Sequence, residues 1–140
     1  REQAEVLSGN RQVAQAVARG QLAWGLTDTD DAYQMQQQGH PVELVFPDQD
    51  GMGALVIPNT VAVIKGSPHP AAAKRFVDFL LDADTESELA LGASAQFPLH
   101  PRARQSSPLG SLATVRAMEV DFEKAADSWD QAAAFLRQHF

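Results

Sequence analysis

The chain has 140 residues, 44% of them apolar and 21% charged, with a net charge of −7 from 18 acidic and 11 basic side chains. That length and balance suit one globular domain. No apolar run approaches the roughly 20 residues of a membrane helix, and the acidic excess argues against a nucleic-acid partner, which asks for a basic stripe. The lack of cysteine excludes a disulfide framework, a thiolate metal site and a cysteine nucleophile. The sequence opens on Arg1, with no methionine and no basic-then-apolar leader, and is expected to start in mid-protein.

Taken in chain order, residues 4–7 predict a short strand, and Ser8-Gly9-Asn10 a turn in which Asn10 can cap the next helix. That helix runs to about Arg19, with Val13, Ala14, Val17 and Ala18 on one face and Gly20 as its C-terminal stop. A strand over 21–27 leads into Asp28-Thr29-Asp30-Asp31, then a short polar helix ending at Gly39 and a strand over 42–46. Residues 48–53 are rich in turn formers. Two apolar runs, 54–57 and 60–64, read as extended, and the Pro58-Asn59-Thr60 between them suits a hinge, a strand crossing or an ordinary bulge. Ser67-Pro68-His69-Pro70 opens a strong helix to about Asp82 whose buried face would be Phe76, Val77, Leu80 and Leu81. Thr85 and Glu88 have the spacing of a capping box for another helix. Residues 93–110 read as loop. A last helix from about Asp121 carries an apolar stripe of Phe122, Ala126, Trp129, Ala133, Leu136 and Phe140. The pattern is α/β with a partly parallel mixed sheet plus C-terminal helices. It has few strands for so many helices.

The most informative stretch is Leu22 to Asp31, an apolar strand that runs straight into oxygen side chains at a helix start. In open α/β sheets, ligands bind beyond the carboxyl ends of strands, where helix N-termini offer free N–H groups and positive potential. Thr27, Asp28, Asp30 and Asp31 are therefore candidate ligand contacts; the alternative is that Thr27 or Asp28 caps the helix and the other acids offset its dipole. Asn10 holds a similar place, as a simple cap or as an amide reaching the same ligand. The four histidines, His40, His69, His100 and His139, have no helical metal-ligand spacing and read as structural or exposed. Trp24, Trp129 and Tyr33 read as core or boundary residues.

An ordered set of residues resembles a known family. Ser8-Gly9-Asn10, Val13, Ala16-Val17-Ala18, Gly20, Ala23 and Gly25-Leu26 are similar to the second-lobe core of ferric-iron-type and related solute-binding proteins of ABC importers. Phe46-Pro47-Asp48-Gln49, Gly53-Ala54-Leu55, Ile57-Pro58-Asn59-Thr60, Ile64-Lys65, Ala72-Ala73, Phe76, Phe79-Leu80-Leu81, Ser94-Ala95-Gln96 and Pro98-Leu99 continue it in the same order.

The resemblance implies a periplasmic-binding-protein type 2 lobe. Residues 1–53 would belong to the second lobe, and 54–140 would form a hinge crossing and a helical region packing on a first lobe outside this sequence. It implies a receptor and not an enzyme, periplasmic or otherwise extracytoplasmic, free or lipid-anchored, that hands its solute to an ABC permease; the isolated piece would self-associate. In ferric-binding members an asparagine at the place of Asn10 helps hold an anion, a polar residue at the place of Asp28 lines the pocket, and two tyrosines follow that bind iron. Asp30 and Asp31 stand where the tyrosines would. These carboxylates are hard ligands for Fe3+ or another cation, and equally suit an amine such as a polyamine or a thiamine-like cation. No cofactor is implied beyond the solute. Two other readings remain open. Asp28-Thr29-Asp30 resembles the first motif of haloacid-dehalogenase-like phosphatases, although Ala32 stands where that family has threonine or valine. The effector domain of a transcription regulator shares the same fold class.

Overall fold

The structure is a computed structural model and describes residues 4–139. Six α-helices follow one another: α1 (Asn10–Ala18), α2 (Thr29–Gln37), α3 (Pro70–Leu80), α4 (Ala83–Leu91), α5 (Phe122–Asp127) and α6 (Trp129–His139), with one 3-10 turn at Leu112–Thr114. They pack in three consecutive pairs, α1 with α2, α3 with α4 and α5 with α6. Extended segments join the pairs.

The first pair has a small core. Ala14 and Ala18 on α1 meet Met35 on α2, and Val42 packs against them from the following segment. Gly25 lies so close to Val13 that a Cβ there would collide with the valine side chain, so a glycine brings the segment after α1 onto that helix. Gly20 and Gly39 take positive φ (70° and 82°) just past α1 and α2, the left-handed stop expected of both. Pro70 sits in the first turn of α3, where its missing N–H has no helical partner to lose.

Several expectations are corrected. Residues 4–7, 21–27, 42–46, 54–57 and 60–64 lie outside the helices, yet the described residues show only two isolated bridges, Ala54 with Ala117 (parallel) and Ser107 with Gly110 (antiparallel). A ladder needs a neighbour alongside, and no two of these runs are brought into register. Several of their large apolar side chains stay in solvent, as at Leu26, Val45, Ile57 and Ile64. No residue of α3 is buried, and Phe76 stacks instead on Phe79 at the surface, with ring centroids 6.3 Å apart. Thr85 and Glu88 lie inside α4 and form no capping box, because Asp82 starts that helix by accepting from the Asp84 N–H at 2.9 Å. The C-terminal helix breaks in two at Ser128, whose hydroxyl donates to the Lys124 carbonyl at 2.9 Å. Trp24 and Trp129 are exposed rather than core; Tyr33 is half-buried. Phe140, the last residue of the apolar stripe, lies outside the described residues.

Side chains tie loops to helices further along. The Glu86 carboxylate accepts from the N–H groups of Leu99 (2.7 Å) and His100 (2.6 Å), and the Ser87 hydroxyl accepts from the Arg104 N–H at 2.9 Å. These contacts give the loop over 93–110 a fixed course on α4. Asn59, in the Pro-Asn-Thr break, donates to Gln96 at 2.9 Å.

Candidate functional site

Two helix starts come together at one end of the α1–α2 pair. Asn10 does not cap α1. It is the first residue of that helix, Gly9 holds the cap position, and no side chain caps it. The Asn10 amide is instead free to reach across, and its Nδ2 donates to Asp28 Oδ2 at 2.6 Å. Thr27 closes the same bridge in the other direction, with its hydroxyl donating to the Asn10 carbonyl at 2.9 Å. The two helix starts are thereby pinned to each other by contacts between residues 17 and 18 positions apart.

Asp28 occupies the N-cap of α2 in extended backbone geometry, yet its carboxylate makes no capping bond. Asp30 and Asp31 follow in the first turn. One carboxylate oxygen from each of Asp28, Asp30 and Asp31 lies within 4.8 Å of the others; Asp28 is exposed, and the other two are half-buried. Proximity has an electrostatic consequence. Asp30 holds its proton above the usual aspartate range, because burial disfavours its charge, and because Asp28 both repels it and shares a hydrogen bond with it. Asp31 is raised for the same reasons in the same order, with Asp30 adding repulsion and the Arg11 guanidinium offsetting part of it.

All five residues singled out in the sequence, Asn10, Thr27, Asp28, Asp30 and Asp31, therefore lie in one cluster. Arg11 was missed. It stands beside Asn10 in the first turn of α1, and its charge acts on Asp31. The histidines stay apart from this cluster: His69 precedes α3, His100 Nδ1 accepts from the Arg102 N–H at 3.1 Å, and His139 packs edge-on against Phe135.

Three close carboxylates attract positive charge, be it a proton, an ammonium group or a metal cation. Their oxygens are hard ligand atoms of the kind that hard cations take.

Comparison with known proteins sets this geometry in context. Residues 6–86 match the family model of the bacterial extracellular solute-binding proteins, a stretch that covers more than half of the chain and includes the whole cluster. The chain belongs to that family. Extracellular solute-binding proteins are substrate-binding receptors of ABC transport, generally not enzymes, that take a small-molecule solute outside the cytoplasm and work with an ABC permease. No curated protein and no solved structure matched the chain. Among the described residues no helix is long and apolar enough to cross a membrane.

Proposed function

We propose that this solute-binding protein takes a cationic solute, with Asp28, Asp30 and Asp31 as the charge-bearing contacts. The solute is ferric iron or another hard cation, or an amine. Asp30 and Asp31 are the direct ligands if it is a metal. Asn10 and Thr27 hold the two corners together and aim Asp28. The observation that carries this reading is the convergence of three carboxylates at one helix start, with one oxygen of each within 4.8 Å of the others.

In this reading the lobe is of the periplasmic-binding-protein type 2 class, and residues 1–53 belong to the second lobe. Residues 54–140 make the hinge crossing and the helices that pack on a first lobe. The exposed apolar side chains of the later segments support this assignment: Ile57 and Ile64 on the extended runs, Phe76 and Phe79 on α3, Trp129 and Leu136 on α6. A solute touching both lobes shifts their equilibrium toward closure.

The test is a thermal-shift screen of the full-length protein against metals, with and without small anions, and against polyamines and thiamine-like cations. A ligand of the folded state raises the melting temperature by mass action. The active compound class should lose its effect when Asp30→Ala and Asp31→Ala are combined, while the unliganded melting temperature holds. Unchanged affinity in that double variant would sink the assignment of the site.

A further inference from the structure

The loop over 48–53 carries the peptide bond between Asp50 and Gly51, both of them exposed. An aspartate followed by glycine is open to self-attack, because glycine has no Cβ to keep its nitrogen away from the neighbouring side chain. The Gly51 nitrogen gives up its proton and bonds to Asp50 Cγ, and the hydroxyl of the protonated carboxyl leaves with that proton as water. A succinimide ring closes. Water then reopens it. Attack at the side-chain carbonyl restores aspartate, whereas attack at the main-chain carbonyl leaves Gly51 joined through Asp50 Cγ, as isoaspartate. The sum is an isomerisation that needs no oxidant, reductant or other reactant.

The attacking nitrogen is not free in this fold. Asp48 takes a left-handed backbone (φ 52°), and its carbonyl accepts from the N–H groups of Gly51 and Gly53, both at 3.0 Å. Its carboxylate folds back to accept from the Met52 N–H at 2.6 Å. That carboxylate lies so close to Gly51 that a Cβ there would strike it. Both features oppose the reaction. A hydrogen-bonded N–H must give up its acceptor before the nitrogen can turn onto Cγ, and negative charge beside a nitrogen disfavours loss of its proton.

We propose that Asp50-Gly51 is a site of spontaneous isoaspartate formation, that Asp48 guards it, and that the guard preserves the contact of this loop with Arg116. That contact tolerates no change of chain length. Before the Asp50-Gly51 bond, Gln49 sets its carboxamide edge-on to Arg116: Oε1 accepts from the Arg116 N–H at 2.7 Å, and Nε2 donates to the Arg116 carbonyl at 3.2 Å. After it, the Ala54 N–H donates to the Arg116 carbonyl (2.9 Å), and the Met118 N–H donates to the Ala54 carbonyl (2.8 Å). Gly53 leaves no slack, since at φ 92° its ideal Cβ would lie 2.5 Å from the Arg116 carbonyl oxygen. Isoaspartate adds a carbon to the main chain between these two anchors, so the isomerised chain loses the second. The inference goes beyond the solute-binding reading and does not depend on it, since no residue of the loop belongs to the acidic cluster.

The experiment ages the full-length protein in mildly acidic buffer below its melting temperature. Isoaspartate at position 50 is mapped by chromatography and mass spectrometry of a digest, in which the isomers separate at equal mass. The same chain in denaturant is the reference. The folded protein should isomerise about tenfold more slowly than that reference, the factor expected for one to two net hydrogen bonds. Two variants test the guard. Asp48→Gly accepts the left-handed backbone and keeps the carbonyl but removes the carboxylate; Asp48→Asn keeps the shape and removes the charge. Both should isomerise faster than the unmodified folded protein, while the amides of α1 and α2 keep their protection from exchange. In the aged, isomerised fraction the amides of Ala54 and Met118 should lose protection. Equal rates in the folded and denatured chain, no acceleration in either Asp48 variant, acceleration matched in both by equal loss of protection in α1 and α2, or isomerised protein with Ala54 and Met118 still protected would each overturn the proposal.

Discussion

Helices α2 and α4 start from the same local sequence recipe, an aspartate at the N-cap and two more acids in the first turn, and use it in opposite ways. Asp82 and Asp28 share an extended backbone (φ −74°, ψ 146° and φ −85°, ψ 167°). At α4 the cap works: Asp82 accepts from the Asp84 N–H, and Glu86 is drawn away to the backbone of Leu99 and His100. The acids there are spread over separate donors. At α2 the cap carboxylate has been taken by Asn10, and Asp30 and Asp31 remain beside it in one cluster. The difference is that the acids of α2 gather beside an uncapped start, while those of α4 serve separate backbone donors. Under the proposed cation-binding reading, a helix start that forgoes its cap and gathers charge gives up local stability in favour of the solute.

The comparison breaks most sharply under cap removal. Asp82→Ala should cost about 1 kcal/mol, the usual loss for an N-cap aspartate. Asp28→Ala removes no cap and relieves repulsion while losing the Asn10 bond, so its net effect should stay within about 0.5 kcal/mol, as for surface changes without a structural role. Chemical denaturation of the two variants side by side decides it, and equal losses would mean that Asp28 caps α2 in solution after all.

A smaller effect is expected at the bridge between the corners. Asn10→Ala frees the Asp28 carboxylate, which can then rotate back onto the first N–H groups of α2 and recover part of what was lost. A double-mutant cycle of Asn10→Ala with Asp28→Ala should therefore show a coupling of about 0.5–1 kcal/mol. The same cycle between Asn10 and Asp82 should show none. A zero coupling at both pairs would remove Asn10 as the residue that positions Asp28.

Much of this site was legible in the sequence, and the reasons are local. Asn10 and Asp28 each follow an apolar run and precede a helical one, so helix periodicity alone places both at corners. That they touch depends on α1 packing against α2, which the small residues Ala14, Ala18 and Gly25 announce. Which atom caps which helix was not legible. Asn10 looks like a cap by residue type, and only the competing acceptor on Asp28 decides otherwise. The same limit hid Asp82, since the spacing of Thr85 and Glu88 mimics a capping box while the true cap lies three residues before Thr85. The contact of Gln49 with Arg116 was hidden for a stronger reason: the two lie 67 residues apart, and a carboxamide bonded edge-on to a main chain leaves no periodic trace. The extended runs were recognised by their β-branched residues, but whether they pair depends on neighbours that sequence pattern does not name.

The finest distinction between the helix starts is in their titration, and there α5 serves as the second reference. Asp121 caps α5, and the Lys124 N–H and side chain hold its carboxyl below the usual range. Asp30 and Asp31 are displaced upward. The signs for stability are opposite. For Asp121 the folded state binds its proton more weakly than the unfolded chain. Its contribution is therefore present above the ordinary aspartate value of about 3.9 and is lost as the pH falls through the lowered folded-state value. For Asp30 and Asp31 the folded state binds protons more tightly, so their penalty is in force at neutral pH. It is relieved as the pH falls through the raised folded-state values, and is gone once the pH lies below the ordinary one. Carbon-13 carboxyl titration should show Asp30 and Asp31 with midpoints above the ordinary value and Asp121 below it. Asp28→Asn should lower the Asp30 and Asp31 midpoints only in part, because burial, the larger cause, stays. Midpoints unmoved by Asp28→Asn would mean that burial alone raises them and that the three carboxylates do not act as one cluster.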